Sequence, residues 1–137
     1  MNNVYLIYPQ YRNNDIQYPS IWLPYSVAAV WSYAEQHDFV AENFVVKNIL
    51  YRRDPIDEQL ERMEDPQLCL FSVYTWNHQY NLKLAKAIKQ RYPKCIIVFG
   101  GPEIPENAVE PRESFVDVYV HHEGENNLVQ QLEDYIK

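Results

Sequence analysis

Glycine is scarce in this chain, which has only three glycines among its 137 residues: Gly100, Gly101 and Gly124. None of them follows the first apolar run, so the G-x-G-x-x-G turn of a dinucleotide site is absent, and the sequence contains no Walker loop. A flavodoxin-type phosphate loop of hydroxyl residues and glycine is missing as well. Tyr8-Pro9 and Tyr74-Thr75 stand where a phosphoacceptor receiver domain needs its acidic residues, which excludes that class too.

Patterns typical of metal sites and catalytic sites are equally sparse. The two cysteines, Cys69 and Cys95, do not form a C-x-x-C pair, and each lies in an apolar run, which predicts two thiols packed in the core. His121 and His122 are adjacent, and because side chains alternate along a strand, they would point apart rather than chelate one ion. No Ser-His-Asp set or carboxylate pair stands out. We therefore predict no catalytic residue and no metal ligand in this chain.

Positive charge is in short supply, with 12 lysines and arginines against 19 acidic residues and a net charge of −7. Nucleic-acid-binding proteins concentrate positive charge, so this balance argues against a nucleic-acid partner. No apolar run approaches the roughly 20 residues of a membrane span, and the N-terminus does not resemble a signal peptide. We expect a cytoplasmic protein with no membrane partner that forms one domain over residues 1–137.

What the chain does have is a series of short apolar runs bounded by turn residues. Runs this short and rich in β-branched residues predict strands, and the uninterrupted runs predict strands that are buried on both faces. The predicted strands are Val4–Tyr8, a region formed by Phe44–Val46 with Ile49-Leu50, Leu68–Tyr74, Ile96–Phe99 and Phe115–Val120.

Segments with apolar residues at helical spacing lie between these runs. The predicted helices are Tyr25–Gln36 after Pro24, Asp54–Glu64, a segment that carries Tyr80, Leu84, Ile88 and Tyr92 on one face and ends at Pro93, and Asn127–Ile136. Proline suits the first turn of a helix, and residues four apart share one helix face. Strands that alternate with helices in this way predict an α/β fold, with a doubly wound, five-stranded parallel sheet and helices on both faces.

The loops at the carboxyl edge of this predicted sheet differ from the short connections at the opposite edge. They are Pro9–Pro24, Thr75–His78, Gly100–Pro105 and His121–Asn126. Ligands of such sheets bind outside the carboxyl ends of the strands. Trp22 and Trp76 lie in these loops and Arg12 is their only cation, which favours a bulky, partly apolar ligand over a phosphate chain. Aromatic loops also form protein interfaces, so a non-catalytic α/β interaction module is the alternative.

Several short motifs follow one another in an order that is specific when taken together. They are a strand that ends in proline at Tyr5–Pro9, a Pro-led helix at Pro24–Ala34, FSVYTWN at Phe71–Asn77, a helix that ends in Tyr92-Pro93, VFGGPE at Val98–Glu103, and a V-D-x-x-V strand at Val116–Val120 before Glu123–Glu125. Over nearly the whole chain this order resembles the N-terminal cobalamin-binding domain of cobalamin-dependent radical S-adenosylmethionine (SAM) enzymes.

The resemblance implies a flavodoxin-like sheet with strand order 2-1-3-4-5 and cobalamin over its carboxyl edge. The corrin ring would rest on the first loop and the third-strand loop, and the nucleotide tail would run toward Ser72 and the Gly100-Gly101-Pro102 turn. Small residues where a tail must pass, and aromatic residues where a flat macrocycle must lie, suit that placement. The cofactor-binding residues that the resemblance implies are Trp22, Leu23, Pro24, Ser72, Tyr74, Thr75, Trp76, Asn77, Gly100, Gly101, Pro102, Glu103, Glu123, Gly124 and Glu125.

Two departures distinguish this chain from other cobalamin proteins. Mutase-type domains carry D-x-H-x-x-G, whose histidine binds cobalt from below, whereas the segment after Tyr8 reads PQYRNN and has no histidine. The resemblance therefore implies cobalamin bound with its own base displaced (base-off) and without a histidine ligand, as is common in the radical enzymes. His121-His122 also stand where the family often has arginine and glycine before E-G-E.

The resemblance also implies a catalytic partner. Radical SAM enzymes hold a [4Fe-4S] cluster with three closely spaced cysteines in a barrel domain, and these 137 residues contain no such set. S-adenosylmethionine and the cluster are therefore expected only in a radical SAM domain, in cis or in trans, with methyl transfer as the reaction of the whole enzyme. The chain alone is not expected to be an enzyme. A relic that keeps the fold without any ligand is the remaining alternative.

Overall fold

The computed structural model describes residues 2–9, 31–73, 78–100, 115–120, 129–130 and 132–134. The strands among these residues are β1 (Asn2–Ile7), β2 (Phe44–Leu50), β3 (Leu68–Ser72), β4 (Ile96–Gly100) and β5 (Val118–Val120). The helices with described bounds are α1 (Asp38–Asn43), α2 (Ile56–Glu61) and α3 (His78–Arg91). Residues 31–35, 129–130 and 132–134 are also helical.

All five strands form one parallel sheet in the order β2-β1-β3-β4-β5. The predicted α/β class and the flavodoxin-like strand order are both confirmed. The order reverses between β1 and β3, because the chain moves outward from β1 to β2 and then returns to the other side of β1. The gap between the carboxyl ends of β1 and β3 is therefore the switch point, where ligands of such sheets bind.

Each face of the sheet has its own apolar core. On one face, which we call the α2–α3 face, Phe71 of β3 belongs to the same core as Leu84 of α3. On the other face, which we call the terminal-helix face, Leu70 of β3 shares a core with Trp31 and Leu132 from the first and last helical residues described. Burying one large apolar side chain contributes roughly 1.5–3 kcal/mol. The alternation of side chains along the strands therefore determines which face each residue takes.

The bounds of the helices differ from the predicted ones by a few residues. The predicted helix Asp54–Glu64 is shortened to α2, because Pro55 at its N-cap keeps an extended backbone with φ −51° and ψ 144°. The sequence pattern does not predict α1, a short helix whose Val40 is buried in the core of the terminal-helix face. The helical residues 31–35, 129–130 and 132–134 fall within two predicted helices, Tyr25–Gln36 and Asn127–Ile136.

Strand β5 is shorter than the predicted strand Phe115–Val120. Asp117 lies just before it and binds β4 through its backbone and its side chain. The Asp117 N–H donates to the Ile97 carbonyl (2.9 Å), and Asp117 Oδ2 accepts from the Ile97 N–H (2.8 Å). A carboxylate thus takes the place that a backbone carbonyl has in a regular ladder, and the regular pairing begins at Val118.

Candidate functional site

The predicted cofactor-binding residues divide into two that the structure describes and a larger set that it does not. Ser72 and Gly100 lie at the carboxyl ends of β3 and β4 and are paired in register. The structure therefore brings these two residues together, and their role toward a ligand stays a prediction. The other predicted site residues lie outside the described residues: Trp22, Leu23, Pro24, Tyr74, Thr75, Trp76, Asn77, Gly101, Pro102, Glu103, Glu123, Gly124 and Glu125.

Strands β3 and β4 both change from large to small side chains at their carboxyl ends. Leu70 is paired with Val98, and the next pair on the same face is Ser72 with Gly100. Leu70 and Val98 are members of the core on the terminal-helix face. The last pair on this face therefore has much smaller side chains than the pair before it. The space above it is a recess in the sheet surface, and a Cβ atom on residue 100 would fill part of that space. We call this recess the Ser72–Gly100 step.

Contacts on both sides of the step hold its backbone in place. The Val73 N–H donates to the Gly100 carbonyl (2.6 Å), so β3 and β4 remain bonded at the step itself. One residue earlier, on the α2–α3 face, the rings of Phe71 and Phe99 lie 5.0 Å apart at 49°. Such an aromatic pair contributes about 0.5–1.5 kcal/mol beyond the burial of its area. The backbone of β3 and β4 at the step is therefore held by a hydrogen bond and by packed rings.

A buried asparagine supports the step from the α2–α3 face, and the sequence analysis missed it. Asn81 of α3 is 0% exposed, and its Nδ2 donates to the Ser72 carbonyl (3.2 Å). The buried stripe of α3 consists of Asn81, Leu84, Ala85 and Ile88, at the spacing i, i+3, i+4 and i+7. A polar residue in an otherwise apolar stripe was the available signal, because a buried amide needs a hydrogen-bond partner.

The loop after β2 also lies at the carboxyl edge, and it is not among the four loops considered in the sequence. It carries two cations, Arg52 and Arg53, so this edge holds more positive charge than the sequence analysis suggests. Gln59 Nε2 donates to the Arg52 carbonyl (2.8 Å) and to Tyr80 Oη (3.0 Å), and Tyr80 Oη donates to the Asp54 carbonyl (2.5 Å). Burial raises the pKa of the Tyr80 phenol, which keeps it protonated as a donor. These bonds tie the loop to the first turn of α3.

The amino edge of the sheet carries a different set of polar contacts. The Asn3 N–H donates to Gln67 Oε1, and the Gln67 N–H donates to the Asn3 carbonyl (3.0 Å). Lys89 Nζ donates both to Asp117 Oδ2 (2.6 Å) and to the Cys95 carbonyl (2.6 Å). Side chains therefore link the strand ends here to one another and to α3. Side-chain hydrogen bonds therefore stabilise the amino edge.

The two cysteines are buried free thiols with their Sγ atoms 3.6 Å apart in the core of the α2–α3 face. The prediction of two packed core thiols is confirmed. Burial, together with the neighbouring Cys95 sulfur, raises the pKa of the Cys69 thiol well above its usual range.

In the described ranges, no group of three or more His, Cys, Asp and Glu residues could hold a metal ion. No helix in the same ranges is long and apolar enough to cross a membrane. The cytoplasmic location stays a prediction.

Comparison with known protein families assigns most of this chain to one family. A family model described as "B12 binding domain" matches residues 16–131. The matched region contains four of the five strands, β2 to β5, and therefore both strands that form the Ser72–Gly100 step. The match covers well over half of the chain.

Two curated proteins are similar to this chain over most of its length. One is the 2-(S-pantetheinyl)-carbapenam-3-carboxylate methyltransferase of Streptantibioticus cattleyicolor, 32% identical over 120 residues, which are 83% of this chain and 18% of that protein. Another is the cobalamin-dependent radical SAM methyltransferase TokK of Streptomyces tokunonensis, 33% identical over 112 residues, which are 80% of this chain and 16% of that protein. The chain thus spans less than a fifth of the length of either relative.

Proposed function

We propose that this chain, which belongs to the B12-binding domain family, binds cobalamin at the carboxyl edge of its sheet with the nucleotide tail in the Ser72–Gly100 step. The observation that carries this proposal is the step itself. A tail that passes along the sheet needs a recess beside the switch point, and this is where β3 and β4 both lose their large side chains. The residues present therefore fit the nucleotide end of the cofactor.

The corrin ring is proposed to lie over the loops that carry Trp22–Pro24 and Tyr74–Asn77. Gly101–Glu103 would surround the tail, and Glu123–Glu125 would close the last side. Trp22–Pro24 and Tyr74–Asn77 contain aromatic residues and no charged residue, which supports a flat, mostly uncharged macrocycle over these two loops. Tyr80 adds support from the described residues, because its bonds fix the helix turn that follows the third-strand loop.

Cobalt is proposed to be bound base-off and without a histidine ligand. The segment that follows β1 contains no histidine, which supports this proposal. His78, the first residue of α3, is the described histidine at the carboxyl edge, and it provides a direct test. Cobalamin bound in this way supplies a cobalt centre that can carry a methyl group.

The whole enzyme is proposed to be a methyltransferase in which this domain works with a radical SAM domain, in cis or in trans. The two relatives are both named as methyltransferases, and one as a cobalamin-dependent radical SAM enzyme, which supports this proposal. Cys69 and Cys95 are buried in the core, and two cysteines do not suffice for a cluster held by three. S-adenosylmethionine and the [4Fe-4S] cluster are therefore assigned to the radical SAM domain, which also determines the substrate.

The proposal is tested by a visible-absorption titration of the chain with hydroxocobalamin, followed by gel filtration to separate bound from free corrinoid. We expect stoichiometric retention with a base-off spectrum. Cobinamide, which lacks the nucleotide tail, should bind more weakly because it leaves the step empty. A chain with a folded circular dichroism spectrum that retains no corrinoid would overturn the proposal and leave the interaction module in its place.

Variants at the step provide the first refinement of this titration. Ser72→Ala keeps the recess open, so cobalamin binding should change little. Gly100→Val fills the recess and should weaken cobalamin binding by about tenfold or more, with a smaller effect on cobinamide. Ser72→Val should act in the same direction, and Ser32→Val, at an exposed position among the helical residues 31–35, is the matched control. Equal losses for cobalamin and cobinamide would argue against a tail in the step.

The absence of a histidine ligand is tested separately with His78→Gln. The cobalt(II) form of the bound cofactor should show no nitrogen hyperfine splitting in its electron paramagnetic resonance spectrum, either in the unaltered chain or in the variant. A nitrogen splitting that disappears in His78→Gln would identify His78 as the ligand and overturn this part of the proposal. Cobalamin binding itself would stand.

A further inference from the structure

The buried polar and charged side chains of the described ranges are concentrated near the carboxyl edge. They are Asp54, Gln59, Ser72 and Asn81, and each is at most 7% exposed. Asp54 lies in the loop after β2, Ser72 ends β3, and the other two lie near the starts of α2 and α3, which begin at this edge. Burying a polar group is unfavourable unless it is hydrogen-bonded, so the bonds that these residues make are a specific feature of this edge.

Two of these residues are amides at equivalent positions, and only one of them links two helices. Gln59 and Asn81 are the fourth residues of α2 and α3. Each donates to a backbone carbonyl of the segment before its own helix, Gln59 Nε2 to Arg52 (2.8 Å) and Asn81 Nδ2 to Ser72 (3.2 Å). Gln59 Nε2 also donates to Tyr80 Oη of α3 (3.0 Å). The Gln59 amide therefore joins its own strand-helix unit to the next one.

Tyr80 completes this link from the other helix. Its Oη accepts from Gln59 and donates to the Asp54 carbonyl (2.5 Å). The Asp54 carboxylate is held in turn by Arg62 at the end of α2, with 2.5 Å between Oδ2 and Nη1. We call the bonds of Gln59 Nε2 and Tyr80 Oη to each other and to the Arg52 and Asp54 carbonyls the Gln59–Tyr80 tie.

The Gln59–Tyr80 tie joins segments that follow the two neighbours of β1 in the sheet. One end of the tie lies in the loop after β2 and the other in α3, which follows β3, and β1 lies between these two strands. The tie is on the α2–α3 face, because Tyr80 packs against the core of that face. The Ser72–Gly100 step is on the opposite face. The two features therefore border the carboxyl edge near the switch point from opposite faces of the sheet.

We propose that Tyr80 is a positioning residue for the corrin end of the ligand, which holds the loop after β2 and the first turn of α3 in place before the ligand binds. It acts through the backbone of these two segments and does not touch the cofactor. This inference rests on the proposed function, because that function places a corrin ring over the carboxyl edge. Segments that border a large, rigid ligand must be ordered at a cost on binding unless the protein's own bonds already order them.

The test compares two substitutions that each remove one hydroxyl group, Tyr80→Phe and the matched control Tyr92→Phe. Tyr92 directly follows α3, and its Oη donates to the Met63 carbonyl (3.5 Å), which lies beyond the other end of α2. Tyr80→Phe should raise the dissociation constants of hydroxocobalamin and cobinamide alike, by about fivefold, because a smaller fraction of the chain has the two segments in place. Tyr92→Phe should change neither constant. The melting temperature should fall by about 3 °C in Tyr80→Phe and by less in the control.

A second variant tests whether the effect passes through the tie. Gln59→Met removes the amide at similar volume and should also weaken the binding of both corrinoids. Because Gln59 and Tyr80 belong to one set of bonds, the double variant should bind as Gln59→Met does. Losses that multiply in the double variant would mean that Tyr80 acts by another route, and they would overturn the inference.

The remaining outcomes separate this inference from the proposed function. The positioning role is overturned if Tyr80→Phe binds both corrinoids as the unaltered chain does, or if Tyr92→Phe weakens binding equally. It is also overturned if Tyr80→Phe weakens the binding of cobalamin alone, because that result would place the effect at the nucleotide tail. A folded, unaltered chain that retains no corrinoid overturns the proposed function itself, so the two failures are distinguishable.

Discussion

The two edges of this sheet differ in how the backbone groups at the strand ends are hydrogen-bonded. At the amino edge, strand ends are bonded by side chains from neighbouring segments, as Gln67 does for Asn3 and Asp117 does for Ile97. At the carboxyl edge, β3 and β4 end in the small pair Ser72 and Gly100, and the Ser72 carbonyl accepts a hydrogen bond from Asn81 of α3. The amino edge is therefore cross-linked by side chains, whereas the carboxyl edge ends in small residues. Together with the proposed function, the comparison leads us to expect that the amino edge contributes to stability and the carboxyl edge to ligand binding.

Burial along the strands does not explain the difference between the two edges. Strand β3 is buried throughout, from Leu68 to Ser72. The two edges differ instead in three local features of the carboxyl edge. These are the proline at residue 9, the small pair Ser72 and Gly100, and the buried amide of Asn81. If the edges are independent, substitutions at the amino edge should reduce stability without reducing affinity.

The largest effect of this kind is expected for Asp117→Ala. The substitution removes the acceptor of the Ile97 N–H and the ionic partner of Lys89, and it should lower the free energy of unfolding by about 2 kcal/mol. Urea unfolding measures this loss. Lys89→Met is the matched control, with a smaller loss because Ile97 keeps its acceptor. Weaker cobalamin binding by folded Asp117→Ala would show that the two edges are coupled.

A second effect, of intermediate size, depends on pH. The pKa of the Cys69 thiol is raised by burial, so its contribution to stability is fully present below the pKa of the unfolded thiol and is lost as the pH rises through the folded value. Above a pH of about 8.5, the free energy of unfolding should therefore fall by up to about 1.4 kcal/mol per pH unit from this group. In Cys69→Ala, the free energy of unfolding measured with urea should fall less steeply between pH of about 8.5 and 10 than in the unaltered chain.

Val73→Ala controls for the cavity that Cys69→Ala creates, because Val73 is buried in the same core and does not titrate. It should lower stability by a similar amount at every pH and leave the slope unchanged. Tyr5 and Tyr80, whose pKa values are also raised by burial, contribute at still higher pH in all three proteins. Equal slopes in the unaltered chain and in Cys69→Ala would contradict the assignment to Cys69.

The smallest effect is expected for Glu64→Gln at the amino edge. Lys47 Nζ lies 3.8 Å from Glu64 Oε2, and both side chains are largely exposed, at 39% and 78%. Exposed ion pairs of this kind contribute about 0–1 kcal/mol, so the free energy of unfolding should change by less than about 0.5 kcal/mol. The remaining difference should vanish in high salt. A larger loss would mean that charge at this edge matters as much as the bonds to the strand backbone.

Much of the fold can be predicted from consecutive residues. The apolar run Ile96–Phe99 predicts a strand buried on both faces, and the structure has β4 there. The spacing of Leu84 and Ile88 likewise predicts α3. The start of β5 could not be predicted in this way, because Phe115–Val120 is apolar enough for a longer strand. The Asp117 carboxylate shortens the regular ladder by bonding to a residue 20 positions away in sequence.

Some residues of the candidate site could likewise be predicted from the sequence, and others could not. Gly100 attracts attention in the sequence because glycine is rare here and follows a buried strand. Asn81 does not, because an asparagine in a helical segment is commonplace until its stripe is known to be buried. Arg52 and Arg53 of the loop after β2 were not included either, although a parallel sheet places this loop at the carboxyl edge as well.

The alternation of strands and helices and the missing N–H at Pro9 can be read from consecutive residues, because each is a property of single residues or of near neighbours. The contact between Asn81 and the Ser72 carbonyl, by contrast, follows from the fold. Their meeting depends on strand order and register, which long-range packing sets, and on the face of α3 that the core buries. A small residue at a strand end and an asparagine in a helix are each commonplace, and the fold brings them together beside the switch point.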